Sequence, residues 1–159
     1  MAKQTTESRL AAIEAEEREL WFASFTRDDA WRLGVQMREA AVAQQLPLVI
    51  GIAIGAQRVF HAALPGASPD NDAWLERKAR SVVHFERSSL GVGELFRSQG
   101  RLYEADARLD PTVIAANGGV FPIQIDGVGV VGTVGVSGLP QVDDHNFVVD
   151  QLRKFRAAS

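Results

Sequence analysis

Apolar and polar positions along the chain divide it into segments of two different periods. From Glu7 to Leu20 the residues are mainly Ala, Glu, Leu and Arg, with Leu10, Ile13 and Glu17 at helical spacing, which predicts a peripheral N-terminal helix within residues 1–20. Thr26 with Asp29 three residues later is a capping-box pattern, in which side chains satisfy the free amides of a helix start. It predicts a helix from about Arg27 to Gln45, ended by Pro47, with Trp31, Val35 and Val42 on the buried side.

At Leu48 the period changes to two. Leu48, Ile50, Ile52 and Ile54 alternate with Val49, Gly51 and Ala53, the pattern of a buried strand. Gly55-Ala56 suits a tight turn, after which Gln57 to Ala63 returns antiparallel. Pro65 to Asp70 has loop chemistry, and Asn71 or Asp72 is expected to cap a helix through Trp74, Leu75, Ala79, Val82 and Phe85. Ser88-Ser89 breaks or re-caps it ahead of a shorter helix over Gly91 to Gln99. Val120 to Ile125 is a strand with Phe121, Ile123 and Ile125 on one face, and Pro122, which lacks an amide hydrogen, predicts an edge position or a bulge. Asp126-Gly127 is a strong hairpin signal, leading to a strand from Val128 to Val136 and a last helix from Asp143 to Phe155. Two hairpins in one antiparallel sheet, packed with helices, make an α+β fold of the profilin-like or PAS-like kind.

Composition narrows the classes. At 159 residues with 46% hydrophobic and 23% charged positions, the chain fits one domain spanning 1–159. A formal charge of -3, with basic residues scattered among acidic ones, argues against a nucleic-acid partner. Zero cysteine excludes disulfides, thiolate nucleophiles and Cys-ligated metal, and suits a cytoplasmic location. Charged residues interrupt the N-terminus throughout, so no signal peptide is expected. The longest apolar run, Leu46 to Ala56, falls short of the roughly 18 residues a membrane span needs.

Gly127-Val128-Gly129-Val130-Val131-Gly132 matches G-x-G-x-x-G, but a hairpin turn precedes it and β-branched residues follow. A dinucleotide fingerprint must instead follow a strand and open a helix. Gly135-Val136-Ser137-Gly138-Leu139 has leucine where a nucleophile elbow needs glycine. Ser137-Gly138 lies before a helix whose first turn carries Asp143 and Asp144; free amides there either hold a small anion or are complemented by those acids. His145 shares a helical face with Val148, Val149, Leu152 and Phe155, so it points at the sheet or an interface, as a structural histidine, a haem ligand or a proton carrier. His61 alternates with Val59 and Ala63 and can face a pocket, whereas His84 is expected in solvent. No two histidines have metal-ligand spacing, and no metal site is expected. Lys78 is expected at the surface, with aromatic contact or an acid partner as the alternative.

Trp74, Lys78, Phe85, Ser88-Ser89, Asp110-Pro111, Gly118-Gly119, Phe121-Pro122-Ile123, Gly127 to Thr133, Val136 to Pro140 and Asp144-His145 occur in that order. Together they resemble the haem-degrading domain family, and within it the uncharacterised GlcG/HbpS-like branch found in bacteria and fungi. The resemblance covers about Leu20 to Phe155 and implies an α+β fold that assembles into homo-oligomers, some relatives binding or degrading haem. It implies a shared site at Lys78, Ser88, Ser89, Gly118, Gly119, Ser137, Asp144 and His145. Where that family often has histidine before the paired glycines, this chain has Asn117, which removes one candidate haem ligand.

Two functional expectations follow. One is an oligomeric binding protein or weak enzyme for haem or a small acidic molecule, with His145 as ligand or proton carrier and Lys78 or Ser88-Ser89 holding carboxylates. The other is a non-enzymatic oligomeric module built for protein contacts.

Overall fold

A computed structural model describes residues 2–159. In chain order the elements are α1 (Ala2–Glu19), α2 (Arg27–Ala43), β1 (Val49–Ile54), β2 (Gln57–Ala63), α3 (Pro69–Phe85), α4 (Ser89–Ser98), α5 (Tyr103–Asp106), β3 (Val120–Ile125), β4 (Gly129–Ser137) and α6 (Gln141–Ala157). The four strands form one sheet in the order β2-β1-β4-β3, every neighbouring pair antiparallel. The two predicted hairpins therefore meet along β1 and β4, and the fold is α+β. Ile54 pairs with Gln57, so Gly55-Ala56 is a two-residue turn, with Gly55 at φ 56. The G-x-G-x-x-G stretch is the second hairpin turn and the start of β4, which continues as strand to Ser137 instead of opening a helix there.

Because side chains alternate across a strand, one sheet feeds two cores. Ile50, Ile52, Phe121, Ile123, Val134 and Val136 join Leu33, Met37, Val148 and Leu152 in the core beneath α2 and α6. On the other face Val49 and Val120 meet Leu75 and Val82 of α3. Gly51 and Gly135, paired across β1 and β4, let α3 sit close: a Cβ on Gly51 would stand 2.8 Å from Leu75 Cδ2, and one on Gly135 3.1 Å from Leu75 Cδ1. Pro122 lies in edge strand β3, beside a register irregularity between Ile123 and Gln124. The outer edge of β3 is capped by Phe22, whose amide donates to Gln124 O at 2.8 Å.

Several local expectations need correction. The buried stripe of α2 is Ala30, Leu33, Gly34, Met37 and Ala41; Trp31 is 62% exposed and Val42 47%. Trp31 is kept off that face because α2 packs on β2 with Gly34 against the Phe60 ring, leaving Trp31 to contact Phe60 edge-on from the rim. The cap of α3 is Ser68; Asn71 sits one turn inside and accepts the Ser68 amide at 2.9 Å, while Pro69 takes the first helical position, where a missing amide costs nothing. α4 starts at Ser89, capped by Ser88, and α6 starts at Gln141. The short α5 carries too little periodic pattern to be read from sequence. The Thr26–Asp29 capping box forms as expected, with bonds of 3.0 and 2.8 Å.

Gly135 tests how tightly the sheet is packed on its α3 face, against β3 and Leu75 together. An alanine there would place its Cβ 2.5 Å from Val120 Cγ2 and 2.9 Å from Gly119 O. Gly135→Ala is expected to lower stability by about 1–3 kcal/mol, read as a lower urea midpoint at unchanged slope.

Candidate functional site

Lys78 is buried, 2% exposed, against the expectation of a surface lysine. The reason is its register on α3: Leu75, Lys78 and Val82 fall on one helical stripe, and that stripe faces the sheet. Its ammonium donates to Gly118 O at 3.1 Å, Val136 O at 2.8 Å and Asp144 Oδ2 at 3.4 Å. Three donors thus meet three acceptors, leaving no proton for a ligand carboxylate. Asp144 Oδ1 accepts the Leu139 amide at 3.0 Å, so the amides ahead of α6 are met by an acid of the same helix. Burial pushes the Lys78 ammonium down from its ordinary pKa, against the pull of Asp144, and pushes the Asp144 carboxyl up, against the pull of Lys78.

Around this pair the chain is held by further bonds. Gly119, at φ 134, has no room for a side chain: a Cβ would lie 2.5 Å from Lys78 Nζ and 3.0 Å from Asp144 Cβ. The Gly118 amide donates to Gln141 Oε1 at 3.1 Å, and the Ser89 hydroxyl accepts the Val120 amide at 3.1 Å. Lys78, Ser89, Gly118, Gly119 and Asp144 therefore converge where β3 begins, β4 ends and α6 starts. Ser137 joins Lys78, Gly118 and Asp144 in lining a cleft of about 260 Å3, walled by Trp74, Asn71, Asn117 and Gln141.

Ser88 and His145 lie apart from that cleft and face α1. The Ser88 hydroxyl accepts the Gly91 amide at 3.1 Å and donates to Glu17 Oε1 at 2.9 Å. Burial raises the Glu17 carboxyl, partly offset by the bond from Ser88 and the charge of Arg87. His145 is 2% exposed; its Nε2 is 3.0 Å from Glu16 Oε1, its ring packs beside Phe121, and its buried Nδ1 has no partner among the described residues. Glu14 pairs with Arg87 at 3.3 Å, and both oxygens of Glu19 with Arg153 at 3.0 and 2.9 Å, so a row of carboxylates fastens α1 to the body.

A larger groove runs between α3 and the sheet in two adjoining lobes. The inner lobe, about 250 Å3, is lined by Gly51, Gly135, Leu75 and Val120 with Arg58, His61 and Asp72. The outer lobe, about 700 Å3, is lined by Ala79, Val83 and Ile114 with Arg80 and His84. Ala53, Ala56, Glu76, Ala79 and Thr133 belong to both. His61 Nε2 is 2.6 Å from Asp72 Oδ1, joining β2 to α3. His61 thus faces a pocket, and His84, exposed, stands at the groove rather than away from it. Arg58, Glu76 and Arg80 carry no motif; the available signal was Glu76 and Arg80 four residues apart on α3. Among the described residues no group of three or more potential ligands could hold a metal ion, and no helix is long and apolar enough to cross a membrane.

The Lys78–Asp144 pair makes a sharp prediction. Asp144→Asn leaves a buried ammonium without its anion and is expected to cost about 3–5 kcal/mol by chemical denaturation. Since burial holds the folded carboxyl above its ordinary value, ionising it in the fold lowers stability as pH rises from about 4 through the folded pKa, which sets a limit on what the ion pair contributes above it. Asp144→Asn should flatten that part of the pH–stability curve.

Comparison with known proteins agrees with this architecture. Residues 25–153 match the family model described as haem degrading protein HbpS-like. A UPF0303 protein of Streptomyces coelicolor is 49% identical over 155 residues, covering 98% of each chain. A UPF0303 protein of Sinorhizobium medicae is 42% identical over 150 residues, covering 94% of this chain and 92% of its own. Among solved structures, Ybr137w superposes with a TM-score of 0.85 at 27% identity, over 94% of this chain and 88% of that one. PduOC, determined as a complex with haem, has the same fold, with a TM-score of 0.65 at 21% identity over 82% and 94% of the two chains. On a family model that spans most of its length and relatives that match it nearly end to end, the chain belongs to the HbpS-like family of haem-degrading proteins.

Proposed function

We propose that this is a cytoplasmic, homo-oligomeric binding protein for haem or a similar amphipathic acid, and that the ligand lies in the groove between α3 and the sheet. The carrying observation is the groove itself. Its outer lobe of about 700 Å3 falls within the range of about 300–1,000 Å3 usual for small-molecule sites. It offers an apolar bed of Ala79, Val83 and Ile114, with His84 and Arg80 on its wall and Arg58 in the adjoining lobe. The residues first expected to hold a ligand fit haem poorly: His145 is enclosed by Glu16 and Phe121, and Lys78 has spent its donors. The Ser137 cleft, about 260 Å3, suits only something smaller. The groove residues do fit. His84 can offer a ring nitrogen to iron, and the arginines can receive carboxylates. When bound, haem supplies redox and dioxygen chemistry; the protein's part is to bury its apolar faces and fix its acid edge.

Titration with haemin checks this reading. A saturable Soret shift is expected for the wild type, weakened at least about tenfold in His84→Ala and unchanged in His145→Ala. No saturable shift in the wild type, or a loss confined to His145→Ala, would overturn it.

Assembly is supported by the exposed Trp31 and Val42 on α2, beside the open edge of β2. Apolar surface of this kind, next to unpaired strand backbone, is what a second copy can cover. Light scattering should report a mass above the 17.3 kDa of one chain, and a monomer at micromolar concentration would count against the proposal.

A further inference from the structure

Glu76 stands where the two lobes of the groove join and lines both. Its Oε1 lies 3.3 Å from the Arg58 guanidinium, and its Oε2 lies 3.9 Å from Arg80. One carboxylate of the protein therefore sits between two arginines, one from β2 and one from α3. That is the place a ligand carboxylate would take. We propose that Glu76 is an internal stand-in for the acid group of the ligand: an amphipathic acid enters the groove by displacing Glu76 from Arg58 and Arg80, and Glu76 so selects for acids. This rests on the groove being the binding site.

The physical case is one of weak holding. All three side chains are about half exposed, at 62% for Arg58, 51% for Glu76 and 49% for Arg80, so their pairing is hydrated, screened and readily exchanged. A ligand that buries apolar area on Ala79 and Val83 while presenting a carboxylate replaces what Glu76 gave up. A neutral ligand of the same shape leaves the Glu76 pairs intact and gains nothing from the arginines. The other charged groups facing the groove fix polarity. Asp72, held by His61 in the inner lobe, repels an anion, whereas His84 shares the outer lobe with Arg80. The acid edge is thereby directed to the Arg58–Arg80 seam.

The test uses the 159-residue chain and two probes with the same iron porphyrin, haemin with free propionates and haemin dimethyl ester with both propionates as neutral methyl esters. Glu76→Gln is expected to tighten haemin about threefold to fivefold and to leave the ester unchanged, the gain shrinking at high salt. Arg58→Gln and Arg80→Gln should each weaken haemin and spare the ester. Circular dichroism and thermal melts would confirm that these exposed substitutions leave the fold intact. If the wild type binds both probes but Glu76→Gln leaves haemin unchanged or weaker, the stand-in role is overturned while the groove reading survives. If the wild type binds neither, the groove reading falls and takes this inference with it.

Discussion

The buried ammonium of Lys78 is the point on which the arrangement of secondary structure turns. A cation taken out of water needs an acceptor for each proton, and here two of the three are backbone carbonyls, Gly118 O and Val136 O. With Asp144 as the third, one side chain of α3 ties together the entry to β3, the exit from β4 and the first turn of α6. The constraint propagates outward. Gly119 must be glycine because the ammonium occupies its side-chain space, and Asp144 both answers the charge and caps the approach to its own helix. Burial works against the charge on both partners, so the pair's importance lies in placement more than in net energy.

This changes the meaning of the residues that mark the family. Lys78, Ser89, Gly118, Gly119 and Asp144 hold the backbone at one junction, while Ser88 and His145 receive carboxylates from α1. In this chain those residues lock the sheet and helices together. The groove depends on that lock at one remove. Gly51 and Gly135 bring α3 down onto the sheet at Leu75, while Ala53, Gly55, Ala56 and Ala79 leave space beyond it. In the proposed reading, ligand chemistry falls to side chains outside that junction, Arg58, Glu76, Arg80 and His84.

Much of this was legible in the order of residues. Strand alternation in β1 and β4, the Gly55-Ala56 turn, the Thr26 capping box and the edge character of Pro122 are local effects, set by steric preferences and hydrogen bonds within a few residues. The rejection of the dinucleotide loop was local too, since a hairpin turn and β-branched residues cannot become a helix N-terminus. So was the family resemblance, carried by motifs in a fixed order.

What the sequence alone could not decide is how elements distant in the chain meet. Lys78 reads as a surface lysine until Val136 and Asp144, 58 and 66 residues away, supply its acceptors. Trp31 reads as core until Gly34 proves to be the position against which Phe60 packs. Arg58 and Arg80 become a pair only because β2 and α3 flank one groove and Glu76 lies between them. Periodicity and turn chemistry determined the elements and the two faces of the sheet, because those are properties of neighbouring residues. Burial of a charge and assembly of a site are properties of non-local packing, and only the tertiary structure decided them.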